Sequence, residues 1–439
     1  MIAGRRPWLW IMREMPWPVV SGDRVYSSGL VRAVADAGIK LRVLAHAGPG
    51  REIGPRHPLI CWQSITGGTR SPHWVALTGQ HPVTAGIHDT GDARAQLERV
   101  LVAQRFDAIV FDQLGSGWAL DLVAEACARL HARDLDMPKL IYLAHNHETK
   151  VWADMAAHAG GSWLRRLVVR RNAAKVARLE RRLVHTVDTI ACITHEDARA
   201  FTADGAERAP VVITPGYDGR VVGARTIDDD TPRRVAMVGS FDWAIKQENL
   251  RQFLAAADPL FAAAGVHFDV VGKVPDGLRS ALEPRLKATT LHGFVDDPSS
   301  IFARARLAVV PELIGGGFKL KLLDYLFSRM PVASIAAAVA GMPDELRSRM
   351  ILADDCEGLA RAILAAIDDT ADLDRRQQES FMLASAAYRW LDRGMALRDS
   401  VYGAPLPVEP EAPLEALDDP RSGSTNGRSN MAASSRQVA

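Results

Sequence analysis

Between Gly315 and Asp324 the chain places three consecutive glycines, two lysines and a carboxylate within ten residues, GGGFKLKLLD. An apolar run, Ala308–Val310, precedes them, and a helical pattern, Lys319–Arg329, follows until Pro331 stops it. Glycines let a backbone approach a ligand closely and adopt positive φ. A helix start offers unpaired N–H groups and a partial positive charge, and together these are the parts of a phosphate site. Lys319 and Lys321 at that helix start would neutralise a pyrophosphate, and Asp324, three residues past Lys321, would accept hydrogen bonds from ribose hydroxyls. The glycines alone would serve equally in tight strand–helix packing. Their coincidence with two lysines and an acid favours the anion. Neither a Walker GK[ST] nor a GxGxxG pattern is present in the segment.

The segment GGGFKLKLLDYLFSRMPVA resembles the nucleotide-sugar site of family 4 glycosyltransferases with the GT-B fold, which join two Rossmann-like domains across a cleft. Many members carry two glutamates separated by seven residues; here the second is matched by Asp324 and the first falls on Gly316, so an acid that often contacts the sugar is missing. RRVAMVGSFDWAIKQENLRQFL resembles the family's loop after the first strand of the second domain, where an Arg and a Lys hold the donor phosphates. Lys246 matches the Lys, whereas Ser240 stands at the Arg position and supplies no charge. LHGFVDD resembles the loop on which the nucleotide base rests, with Phe294 and Val295 as candidates; Phe294 would serve equally as core.

Two first-half stretches extend the resemblance. PWPVVSGDRVYSSGLVRAVADAG looks like the loop that approaches donor and acceptor, with Ser21, Gly22 and Asp23 before a helix near Val25. The same residues are ordinary helix caps. YLAHNHETKVW is similar to a His-Asn-acid stretch matched by His145, Asn146 and Glu148, with His145 at a strand end where it would touch the transferred sugar or orient the acceptor. His145, His147 and Glu148 lack the further ligand cluster a metal needs, so none is expected. The resemblance, over about Trp8 to Tyr402, implies a retaining, metal-independent hexosyltransferase using a nucleotide-sugar as substrate and no cofactor. It also suggests exopolysaccharide or cell-envelope glycan synthesis, on a glycan, lipid-linked or small-molecule acceptor. Two alternatives are a catalytically inactive scaffold of the same fold and a nucleotide-sugar epimerase.

The elements that must position these residues are legible as alternating patterns. Short apolar runs (Trp8–Met12, Leu41–Ala45, Ala108–Phe111, Leu140–Ala144, Thr189–Ile193, Val211–Ile213) alternate with helical stretches such as Ser28–Ala37, Leu120–Arg133 and Arg165–His185. The alternation restarts at Arg234–Val238, followed by Phe268–Val271, Thr289–His292, Ala308–Val310, Val332–Ile335 and Met350–Leu352. Continuous apolar strands separated by helices predict parallel sheets covered on both faces. The expected organisation is α/β: an acceptor domain over 1–217, a linker over 218–233, a nucleotide-sugar domain over 234–385, a returning helix over 386–402 and a disordered tail over 403–439. Segment Cys61–Asp89 shows no clear period and reads as loops and short strands.

Lys and Arg number 53 against 52 Asp and Glu, a net charge of +1 that argues against a dedicated nucleic-acid binder. One stretch is locally basic: Arg165, Arg166, Arg170, Arg171, Lys175, Arg178, Arg181 and Arg182 face one acid, Glu180. Such a run either attracts an anionic membrane surface, which would suit a lipid-linked acceptor, or is a solvated helix face. The four cysteines lie far apart and read as reduced thiols. The apolar run Pro7–Met12 is too short for a secretion signal, and no stretch reaches the roughly 20 apolar residues of a membrane span. A cytoplasmic location is therefore expected, with the membrane's inner face as the place of any peripheral contact.

Overall fold

The computed structural model describes residues 5–403 apart from 20, 48–53, 159, 161, 314–316 and 340. Seven strands, β1 (Trp8–Glu14), β2 (Leu41–His46), β3 (Ile60–Ile65), β4 (Ala108–Asp112), β5 (Lys139–Ala144), β6 (Thr189–Cys192) and β7 (Val211–Val212), form one parallel sheet in the order 3-2-1-4-5-6-7. Six more, β8 (Arg234–Val238), β9 (His267–Val271), β10 (Thr289–Gly293), β11 (Leu307–Val310), β12 (Val332–Ile335) and β13 (Ile351–Ala353), form a second parallel sheet in the order 10-9-8-11-12-13. The central strands read as apolar runs because helices bury both faces; residues 8–11 and 307–310 are fully buried. The edge strands β3, β7, β10 and β13 are less buried, and β3 departs furthest from an apolar run. Its sequence, ICWQSI, lies at the sheet edge and is mostly half-exposed, so it lacks the apolar run that marks the others.

Both sheets reverse their winding beside their first strand, between β1 and β4 and between β8 and β11. In doubly wound sheets the crevice outside the carboxyl ends at such a switch point is where ligands bind. Helices Thr370–Ala387 and Trp390–Tyr402 follow the second sheet, and the latter returns to pack on helix Gly22–Asp36 of the first. The crossing is close because of two glycines: a β-carbon on Gly394 would lie 2.0 Å from the Ala33 carbonyl oxygen, and one on Gly29 would lie 2.2 Å from the Trp390 ring. The Trp8 indole N–H donates to the Tyr402 hydroxyl at 2.9 Å and fixes the far end of the returning helix on β1. Beside this second passage runs the first, where the Tyr217 N–H donates to the Tyr388 carbonyl at 2.8 Å. Among the described residues no helix is long and apolar enough to cross a membrane, and the four cysteines are unpaired. The stretch expected as a tail lies, beyond Gly403, outside the described residues.

Candidate active site

A cavity of 760 Å³ opens at the switch point of the second sheet. Its walls are the loops that leave the strands: Gly239, Ser240, Phe241 and Asp242 after β8, Gly272 and Lys273 after β9, Phe294, Val295 and Asp296 after β10, and Glu312 after β11. Lys246 closes one side, the segment 318–321 another, and Gly22 of the first half faces in. Two turns approach closely at its floor. Gly272 has φ +133°, and a β-carbon there would lie 1.7 Å from the Gly239 carbonyl oxygen, so the position accepts only glycine. A β-carbon on Gly22 would lie 3.0 Å from Leu320, which brings the two halves into contact at the cavity rim.

Four lysines line the cavity: Lys246, Lys273, Lys319 and Lys321. Lys321 and Lys319 hold Glu312 at 2.5 and 3.4 Å, and all three side chains are largely buried. Burial by itself would raise the Glu312 carboxyl; the two ammonium groups outweigh it and hold the pKa below the ordinary value. Burial lowers Lys319, assisted by the charges of Lys321 and Lys246 and opposed by Glu312. The result is a partly desolvated cluster of cations in which one carboxylate neutralises part of the charge. Gly317 has φ +75°, the left-handed turn expected before the helix Lys321–Phe327; Gly315 and Gly316 lie outside the described residues. Asp324, one turn beyond Lys321, is exposed and is not among the cavity-lining residues. Phe294 is 76 % exposed, a bare aromatic ring at the cavity mouth rather than part of the core.

On the first sheet, His145 leaves β5 and is 9 % exposed. Its Nε2 lies 3.0 Å from Asp112 Oδ1, at the end of β4, and its Nδ1 lies 3.1 Å from the Gln113 side-chain amide nitrogen. Asp112 is buried and takes further hydrogen bonds from the Trp10 indole at 2.8 Å and the Ser27 hydroxyl at 3.1 Å. Gln113 sits at φ +64°, a left-handed conformation that costs a non-glycine residue energy and recurs at functional sites. The imidazole is thus fixed in orientation through both ring nitrogens. Ser21 caps the helix Gly22–Asp36 only by position; its hydroxyl donates to Asp23, which also pairs with Arg13 at 2.5 Å. Burial would raise Asp23, but the Ser21 hydroxyl and Arg13 bring its pKa below the ordinary value.

A second cavity, 400 Å³, lies between the halves and is lined by Asn146, His147, Lys150, Asp154, Thr194 and Asp197 on one side and by Gly317, Ala337 and Gly341 on the other. A β-carbon on Gly317 would lie 3.0 Å from the Asn146 side-chain oxygen. The Asn146 amide donates to Glu148 at 3.3 Å, and burial raises the Glu148 carboxyl, that hydrogen bond opposing the shift. His147 is accounted for by helix capping: its Nδ1 accepts the Lys150 N–H at 3.2 Å while its Nε2 meets Asp204 at 3.1 Å. Among the described residues no group of three His, Cys, Asp or Glu could hold a metal ion.

Of the residues expected from sequence, Gly22, Ser240, Lys246, Phe294, Val295, Lys319 and Lys321 line the larger cavity, and Asn146 and Gly317 the smaller. Asp112, Gln113, Lys273 and Glu312 are added by the structure. Each lies at the carboxyl end of a strand or within two residues of it, and that placement is the one signal that could have found them. His145, Glu148, Asp23 and Asp324 line neither of these two cavities. Two doubly wound parallel sheets, with a lysine-lined cavity at the switch point of the second, are the arrangement of the GT-B fold. Residues 232–369, within the second half, match the family Glycosyl transferases group 1.

Solved structures agree on the fold. Sucrose-phosphate synthase from Thermosynechococcus elongatus is 14 % identical, with 90 % of this chain and 98 % of that one covered at a TM-score of 0.59. Anabaena HepE, solved with UDP and glucose, is 13 % identical, covering 91 % and 100 % at 0.58. WaaG, a glycosyltransferase involved in lipopolysaccharide biosynthesis, is 15 % identical, covering 90 % and 100 % at 0.57. No curated protein matches the chain in sequence.

Proposed function

We propose that the chain transfers a sugar from a nucleotide-sugar to a hydroxyl acceptor with net retention and without a metal ion. The diphosphate of the donor rests on Lys246, Lys319 and Lys321 and on the backbone near Gly317, and the base lies toward Phe294 and Val295. The bond from the anomeric carbon to the diphosphate oxygen breaks, the acceptor oxygen bonds to the same face, and its proton passes to the leaving phosphate. Catalysis then comes from positioning and from stabilising the developing charge of the leaving group. His145, oriented by Asp112 and Gln113, contacts the transferred sugar, and Asn146 and Glu148 hold the acceptor. Ser21, Gly22 and Asp23 close on the donor from the first half, and Asp324 reaches the ribose only after local movement. Residues 1–217 bind acceptor and 234–385 donor, with the returning helix 386–402 coupling the two.

The observation that carries this reading is the cavity itself: four lysines converge where a doubly wound sheet binds ligands. The proposed setting is cell-envelope or exopolysaccharide assembly at the inner face of a membrane, with the basic helix 165–182 in peripheral contact. The test is a thermal-shift panel of UDP, GDP, ADP and dTDP, each with and without EDTA, followed by sugar release from the matching donor. UDP comes first because HepE was solved with it. Stabilisation by one diphosphate that EDTA leaves intact supports the proposal; stabilisation that EDTA abolishes, or none by any of the four, refutes it.

A further inference from the structure

We infer that one face of the first half is a docking surface for an anionic lipid bilayer, formed by three neighbouring helices that combine bare apolar side chains with unpaired arginines. This rests on the membrane contact proposed above and identifies the surface that makes it. The basic helix runs over Trp163–Thr186, yet its buried residues begin only at Asn172, so its first two turns stand clear of the core. Those turns are not polar. Trp163 is 66 % exposed, Leu164 55 %, Leu167 56 % and Val168 37 %. At 100° per residue these four share one side of the helix, and Arg171 and Arg178 continue it.

Two helices in contact with the basic helix repeat the pattern. Helix Pro72–Thr78 is tied to the basic helix by Lys175, whose ammonium donates to the Val75 and Ala76 carbonyls at 3.3 and 3.2 Å. It presents Trp74 and Leu77, 66 % and 60 % exposed and three residues apart on one face. Helix Glu148–Ala157 also packs on the basic helix and exposes Met155. Scattered exposed apolar residues are ordinary, but two tryptophans and three leucines gathered on adjoining helices are a patch.

The charges select the occupant. Among the described residues Arg166, Arg170, Arg171 and Arg178 make no ion pair, whereas Arg182 is held by Asp121. A second copy placed on this face would set arginine against arginine. Anionic headgroups neutralise the arginines while Trp and Leu enter the headgroup boundary, the combination by which interfacial helices bind. Helix Glu148–Ala157 also supplies Lys150 and Asp154 to the 400 Å³ cavity, so docking would bring that cavity beside the bilayer, where an amphiphilic acceptor lies.

The experiment is co-sedimentation of the full chain with vesicles of phosphatidylcholine alone and with about one third phosphatidylglycerol. The expected result is binding to the anionic vesicles only, lost in about 1 M NaCl. Trp163→Ser with Leu167→Ser, and separately Arg170→Gln with Arg171→Gln, are each expected to weaken vesicle binding by at least about tenfold. Both double variants retain the thermal shift with the diphosphate selected above, which shows that they are folded. Three outcomes overturn the inference: a folded chain that ignores anionic vesicles, vesicle binding that both double variants retain, or a dimer that Trp163→Ser dissolves. Vesicle binding without any diphosphate binding would leave this surface standing and remove the donor site.

Discussion

At the scale of single residues, charge governs the lysine-lined cavity of the second half and fixed orientation governs His145 in the first. Lys321 lies 2.5 Å from Glu312 and faces the cavity, so its ammonium is already desolvated and aimed when a diphosphate arrives. Lys321→Ala is expected to weaken diphosphate binding at least tenfold, roughly 1.4 kcal/mol or more, by calorimetry. Glu312 already pairs with both lysines, so in the proposed site it competes with the diphosphate for them. Glu312→Gln keeps its shape and removes its charge, and diphosphate affinity is expected to rise about fivefold, roughly 1 kcal/mol. In the proposed mechanism Asp112 acts through His145, 3.0 Å away, and is a positioning residue. Asp112→Asn turns one acceptor into a donor opposite either the imidazole or the Trp10 indole, so kcat is expected to fall at least about tenfold while diphosphate affinity and the donor KM stay within about twofold. Equal losses in both would place Asp112 in the fold rather than in transfer. Little of this was legible beforehand. Lys319, Lys321 and Lys246 stood out by pattern, but Asp112, Gln113 and Glu312 are common residue types just past apolar strands, and neither the left-handed φ of Gln113 nor the pairing of Glu312 leaves a mark in sequence.

At the scale of elements, the strands were legible wherever burial on both faces forced a continuous apolar run; β8 and β12 coincide with the expected runs Arg234–Val238 and Val332–Ile335. The segment after β2 was not, because β3 is an edge strand and the helices Pro72–Thr78 and Val83–Gly86 are too short to show a period. Helix Gly22–Asp36 starts earlier than its apolar pattern, since its first turn borders the cleft and needs no core face. The returning helix is held by contact too close for any side chain. Gly394→Ala would drive a β-carbon into the Ala33 carbonyl, and stability is expected to drop by about 2 kcal/mol in urea unfolding. An unchanged midpoint would mean that the two helices separate easily and do not brace the halves.

At the scale of the molecule, two copies of one winding pattern turn their ligand-binding edges toward a shared cleft, and the chain passes between them twice at Tyr217 and Tyr388. Only those two passages need deform for the cleft to close, with the Tyr217 ring stacked on Phe327 at 4.2 Å beside them. Closure would carry Ser21, Gly22 and His145 toward a donor seated on the second half, which is how such domain pairs exclude water from a reacting bond. The most direct measurement is a crystal structure of the chain with the diphosphate that stabilises it. The account predicts the two phosphates within hydrogen-bond distance of the Lys319 and Lys321 ammonium groups and of the backbone near Gly317, with the base toward Phe294. A diphosphate bound elsewhere, or one that leaves those lysines on Glu312 alone, would contradict it.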